Sequence, residues 1–188
     1  KVLAVSDQNI LLKSDKIERF YNNWHDLLND NDIDIVSIVT PPSSHAEIAC
    51  EAMEKGKHIL IEKPLAITIE DGRKIIEKRN ETGRIATVDY IMRFNPVVEA
   101  LGALSHGGFL GNLRRVNVEN YAQDSSLPCD HWFWNSNISG GILIEHGVHF
   151  IDLVNSLTDQ KFTSVHGMSF YRNEKQEDQV MGNVLYDR

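Results

Sequence analysis

The chain has 188 residues, 41% hydrophobic and 24% charged, an ordinary globular composition with room for one domain or one and part of another. A formal net charge of -8 at pH 7 argues against nucleic acid or an anionic membrane as partner, since either would favour a basic face. Cys50 and Cys129 are too few for a disulfide framework, and no apolar run approaches the ~18 residues of a membrane helix, so a reducing, cytoplasmic setting is expected.

Residues 2–6 form a short apolar run ending at Asp7, as a buried strand closed by a carboxylate would. Such a carboxylate accepts the ribose diol in dinucleotide-binding folds, or simply starts a turn. Residues 8–31 are mixed and polar, with a short helix over 24–28 after Asn22-Asn23. Residues 33–39 are rich in β-branched side chains without alternation, which predicts a parallel strand covered on both faces, and Thr40-Pro41-Pro42 ends it. Ser44 and Glu47 have the spacing of a capping box for a helix with Ala46, Ala49, Cys50 and Met53 on its apolar stripe, stopped by Gly56.

A strand over 58–61 then runs into Glu62-Lys63-Pro64. Proline cannot donate to a sheet ladder, so the strand stops there with an acid and a base at its carboxyl end. A helix from Thr68 to Thr82-Gly83 and a strand over 85–88 follow. Strand, helix, strand, helix, strand at this spacing predicts an α/β, Rossmann-like parallel sheet with right-handed crossovers.

After about Arg93 the pattern changes. Residues 96–106 read as a helix broken by Gly107-Gly108, and 113–122 alternate as a half-buried strand does. Residues 123–137 form an irregular loop with Trp132, Phe133 and Trp134; Gly140-Gly141 opens an apolar helix over 142–157, and 162–171 and 180–186 are strand-like. The expected organisation is a partial Rossmann domain, 1–92, and part of an α+β domain with a mainly antiparallel sheet, 93–188. Both ends read as cut, so the sequence is expected to be a fragment of a longer protein.

Three clusters carry candidate chemistry. Thr40 to His45 joins a strand end to a helix start, where free N–H groups attract anions; a plain strand–helix turn is the bland alternative. Lys63, at a partly desolvated strand end beside Glu62, has acid/base potential, against which stands a silent surface ion pair. Glu145 and His149 lie four apart on one helix face with His146 nearby, the pairing of carboxylate and imidazole a general base needs. Packed core histidines or a metal site are the alternatives, although the order is not that of the His-Glu-x-x-His zinc motif.

Taken together, these clusters resemble the Gfo/Idh/MocA family of NAD(P)-dependent oxidoreductases. Asp7 is similar to the acid ending the second Rossmann strand, and residues 33–42 with His45 are similar to the strand and Thr-Pro turn beneath the nicotinamide half of the cofactor. Residues 56–65 resemble the family's Glu-Lys-Pro segment, and Arg93-Phe94-Asn95-Pro96 its Arg-Phe-x-Pro start of the second domain. Gly140-Gly141 through Glu145, His149 and Asp152 resembles its Gly-Gly-x-x-x-Asp-x-Gly-x-His-x-x-Asp helix, with Glu145 where the family has Asp.

The resemblance implies hydride transfer between a nicotinamide cofactor, NAD with NADP open, and a sugar, polyol or related cyclic alcohol or ketone. It implies Lys63, His149 and Glu145 as catalytic residues, with Asp7, Thr40, Pro41, His45, Glu62, Lys63 and Arg93 at the cofactor. It also implies a homodimer or homotetramer, no resident metal, and a Gly-rich phosphate loop upstream of Lys1, since no G-x-G-x-x-G occurs in these residues. The polypeptide alone is therefore expected to hold a dinucleotide poorly. The competing readings are a non-catalytic relative that binds a ligand or regulates, and a metal-dependent hydrolase or isomerase using Glu145, His146 and His149.

Overall fold

In the computed structural model the described residues are 2–121, 127–173 and 177–187. They divide into two compact units, Lys1–Asp89 and Tyr90–Arg188.

In the first unit, β1 (Ala4–Ser6) pairs in parallel with β2 (Arg19–Tyr21), Val5 opposite Phe20. β2 lies in the stretch that reads as merely polar. Its position is set by partners rather than by hydrophobicity: Arg19 reaches Asp30 and Asp32 at 2.6 Å each, and the Tyr21 hydroxyl donates to Asp30 at 2.9 Å. The Arg19 guanidinium holds the Asp30 carboxyl down at about 2. α1 (Trp24–Leu28) begins where the Asn23 side chain accepts the His25 N–H.

The main sheet is parallel, in the order β3 (Ile35–Ile38), β4 (His58–Glu62), β5 (Ala86–Asp89). α2 (His45–Glu54) and α3 (Ile69–Thr82) form the intervening connections. α3 starts where Thr68 Oγ1 accepts the Asp71 N–H and ends at Gly83, whose φ of 66° a side chain would disfavour. The predicted capping box at Ser44 does not form; its hydroxyl turns back to Thr40 Oγ1 at 2.7 Å and to Pro41 O at 2.8 Å. Ile38, Ala49, Met53, Ile59, Ile61 and Ile75 make the centre of the core.

Coverage of β3 on both faces is corrected. Val36 and Ile38 are buried, while Ile35 is 67% exposed. α2 packs on β3 and β4, and the described residues supply a covered face for Val36, Ile38, Ile59 and Ile61 only. Alternation in burial here comes from tertiary packing, with no counterpart in the residue types.

In the second unit a 3-10 turn (Ile91–Phe94) leads into α4 (Pro96–His106), capped by Asn95 with Pro96 in its first turn. A second 3-10 turn (Trp132–Trp134) precedes α5 (Ser136–Ser139). The predicted helix over 142–157 is not uniform: a π turn (Leu143–Gly147) passes into α6 (Val148–Ser156). β6 (Phe162–Tyr171) and β7 (Glu177–Tyr186) pair antiparallel, Val165 opposite Val184. The strand expected over 113–122 is also corrected. Residues 113–121 form no ladder with any described strand, and residue 122 lies outside the described residues. Alternation alone makes no strand without a partner to satisfy its backbone groups.

Candidate active site

Because β3, β4 and β5 are parallel, their carboxyl ends share one edge of the sheet, where open α/β sheets bind ligands. β3 runs on to Thr40-Pro41, β4 to Glu62-Lys63-Pro64, and Glu62 stands opposite Asp89 at the end of β5. Thr40 and Pro41 are exposed, Glu62 and Lys63 half-buried, and Pro64 buried behind a cis peptide bond. Glu62 Oε2 accepts the Lys63 backbone N–H at 3.1 Å, so the acid restrains the main chain that carries the base.

His45 lies at the start of α2. Its ring is fully buried, with Nδ1 2.8 Å from Pro64 O and Nε2 2.9 Å from Thr40 O. Both ring nitrogens face protein carbonyls. Asp7 follows β1, half-buried; its Oδ1 accepts the Asn9 N–H at 2.7 Å, and its own N–H donates to Tyr21 O. The turn-forming role is thus present, alongside a carboxylate at a strand end.

In the second unit Gly140 and Gly141 have φ of 84° and 87°. A Cβ on Gly141 would lie 2.8 Å from Glu177 Oε2, which accepts the Ile142 N–H at 2.5 Å. A carboxylate is thereby placed at the start of the helical segment, where unsatisfied N–H groups and the dipole favour it. Nothing in the sequence singled out Glu177, which lies 35 residues from its partner.

Glu145 is buried within the π turn, a wider winding often found at functional sites. His146 Nε2 is 3.7 Å from Glu145 Oε2, beyond hydrogen-bond range, so their attraction needs a protonated ring. The His146 ring meets Phe133 edge-on at 5.5 Å, which ties the aromatic turn to the π turn. His149 sits half-buried in the first turn of α6, and Asp152 is buried one turn further on.

Arg93, expected at the cofactor, grips Asp152 with Nε at 2.7 Å and Nη2 at 2.6 Å. This fork clamps the 3-10 turn to α6, a pairing across 59 residues that no local spacing reveals. The hydrogen bond to Asp152 raises the Arg93 pKa, and burial raises that of the neighbouring Tyr90 hydroxyl. Among the described residues no three His, Cys, Asp or Glu side chains are placed to hold a metal ion, and no helix is long and apolar enough to cross a membrane.

The family model described as "Oxidoreductase family, NAD-binding Rossmann fold" matches residues 4–90, and that of the "GFO/IDH/MocA C-terminal domain" matches 98–188. The chain belongs to the GFO/IDH/MocA family. It is 32% identical over 151 residues to scyllo-inositol 2-dehydrogenase (NAD(+)) of Bacillus subtilis, covering 80% of this chain and 43% of that protein. It is 29% identical over 174 residues to levoglucosan dehydrogenase of Pseudarthrobacter phenanthrenivorans, covering 89% and 44%. The chain thus spans less than half the length of these curated relatives.

Among solved structures, levoglucosan dehydrogenase in complex with NADH and levoglucosan superposes with a TM-score of 0.84 at 25% identity, over 97% of this chain and 54% of that one. A putative dehydrogenase from Bordetella bronchiseptica gives 0.89 at 24% identity, covering 100% and 51%, and shows the fold alone.

The strand ends of this GFO/IDH/MocA chain carry both hydrogen-bond acceptors and donors. Asp7 and Glu62 put carboxylates at strand ends, and Thr40 and Lys63 add an exposed hydroxyl and a half-buried ammonium. A Gly-rich pyrophosphate loop is not among these 188 residues.

Proposed function

We propose that the whole protein is an NAD-dependent dehydrogenase that interconverts a cyclic polyol or sugar alcohol with its ketone, and that this chain carries the residues of the reacting end. Bound NAD supplies the hydride acceptor. As hydride leaves the carbinol carbon, alkoxide character grows on its oxygen. The Lys63 ammonium steadies that oxygen, and His149 takes its proton. Glu145 orients His149 as a positioning residue, while Glu62 and Asp7 accept from ribose hydroxyls. A carboxylate at Asp7 repels a 2′-phosphate and so favours NAD over NADP.

The observation that carries the reading is Lys63 held half-buried at the carboxyl end of β4, its N–H on Glu62. Support for the substrate class comes from the relatives, which are named for inositol and levoglucosan oxidation. A cytoplasmic homodimer or homotetramer completes the proposal, supported by the family resemblance and the sparse cysteines.

The test uses the whole protein, including the sequence flanking this chain, with NAD and a panel of inositols and anhydrosugars. Lys63→Ala and His149→Ala should each lower kcat by roughly a hundredfold or more, with NADH affinity largely kept. Wild-type turnover in both variants overturns the roles. NAD binding with no turnover on any cyclic alcohol points instead to a non-catalytic relative.

A further inference from the structure

We infer that His45 is a positioning residue for Lys63, an inference that rests on the role proposed for Lys63 above. The ring is fully buried at the start of α2 and stands between two main-chain carbonyls, Thr40 O and Pro64 O, at 2.9 and 2.8 Å. A carbonyl oxygen has no proton to give, so each contact is a hydrogen bond only where the ring nitrogen donates. The two carbonyls belong to the chain leaving β3 and the chain leaving β4. A neutral ring carries one N–H, so one of the two contacts is a hydrogen bond and the other a close approach; the buried ring fills the space between the two strand ends at the first residue of α2.

The consequence falls on Lys63. Its own N–H is held by Glu62 Oε2, and the carbonyl of the next residue is held by His45. The main chain is thus fixed on both sides of the ammonium-bearing residue. Pro64 has no N–H with which to join a ladder, so its carbonyl bond to His45 is the anchor that the sheet does not supply there. An ammonium that must meet one developing alkoxide gains from such an anchor, because a displacement of about 1 Å can cost about a hundredfold in rate.

The experiment compares His45→Gln, His45→Asn and Lys63→Ala in the whole protein. Loss of this anchor should lower kcat about ten- to a hundredfold, while KM and the NADH dissociation constant change by less than about threefold. The acid limb of the kcat profile should move to higher pH, because a displaced Lys63 no longer favours the alkoxide. A ring that merely stabilised the fold would lower Tm and leave that limb in place.

A folded His45→Gln or His45→Asn protein with kcat within about threefold of wild type overturns the inference, provided Lys63→Ala is inactive. If Lys63→Ala keeps full turnover, the functional reading itself fails. Should neither His45 variant fold, neutron diffraction from crystals of the wild-type whole protein decides. Deuterium on Nδ1, which faces Pro64 O, supports the anchor, and deuterium on Nε2 alone overturns it.

Discussion

In the first unit a continuous cluster from Leu27 to Ile75 is buried between the helices and one face of the sheet; in the second, Leu157 is the only buried hydrophobic side chain among the described residues. The second unit instead shows specific polar ties around α6. Arg93 forks onto Asp152, Glu177 accepts the Ile142 N–H, Ser105 donates to Leu157 O, and Tyr186 donates to Asn155 at 2.7 Å. Apolar burial stabilises without direction, whereas a hydrogen bond holds a distance and an angle. Strand ends gain their placement from a rigid core, and the helix bearing His149 gains its own from side-chain clamps.

The contrast is broken most strongly by truncating the core. Ile61→Ala, at a fully buried position, should cost about 2–5 kcal/mol in denaturant unfolding of the first unit. Leu185→Ala, at a side chain 56% exposed on β7, should cost no more than about 0.5 kcal/mol. Equal losses at the two sites would remove the distinction.

Next in size is the fork. Arg93→Ala leaves the Asp152 carboxylate buried without its partner, and since the guanidinium is half-exposed the loss should be about 1–3 kcal/mol. Adding Asp152→Ala should recover part of it in a double-mutant cycle; strict additivity would mean that the fork is silent.

Gly141→Ala is smaller. It forces a Cβ into a left-handed conformation and against Glu177, at about 1–2 kcal/mol, and Glu177→Gln should ease the contact little because the backbone strain remains. Urea midpoints of the two variants and their combination separate strain from contact.

The smallest effect is one of pH. Hydrogen bonding from Arg19 lowers the Asp30 pKa to about 2, so the ionised carboxylate adds stability above its unfolded pKa, and this is lost as pH falls through about 2. The gap in midpoint between wild type and Asp30→Asn should be constant above about pH 5 and close between about pH 4 and 2. A gap that persists at the acid end assigns the effect to shape instead of charge.

Where residues act through local chemistry, the sequence was legible. Thr68 and Gly83 bound α3, Gly56 follows α2, Asn95-Pro96 starts α4, and a proline closes β4 behind Glu62-Lys63. Each is a cap, a left-handed turn or a missing donor, and needs only its neighbours along the chain. β2 escaped because three residues carry too little pattern, and its place depends on Asp30 and on β1. The π turn escaped because apolar spacing does not distinguish closely related helical windings.

For the site, the sequence by itself named candidates, because acid, base and proline at a strand end, and a carboxylate four before an imidazole, are patterns written along the chain. It could not say what those side chains touch. Only the tertiary structure set the His45 ring between two carbonyls, put Arg93 on Asp152, and brought Glu177 to the start of the His149-bearing segment. Composition and spacing determine which groups a chain owns; direction and burial follow from contacts between residues far apart in sequence, and these exist only once the chain has folded.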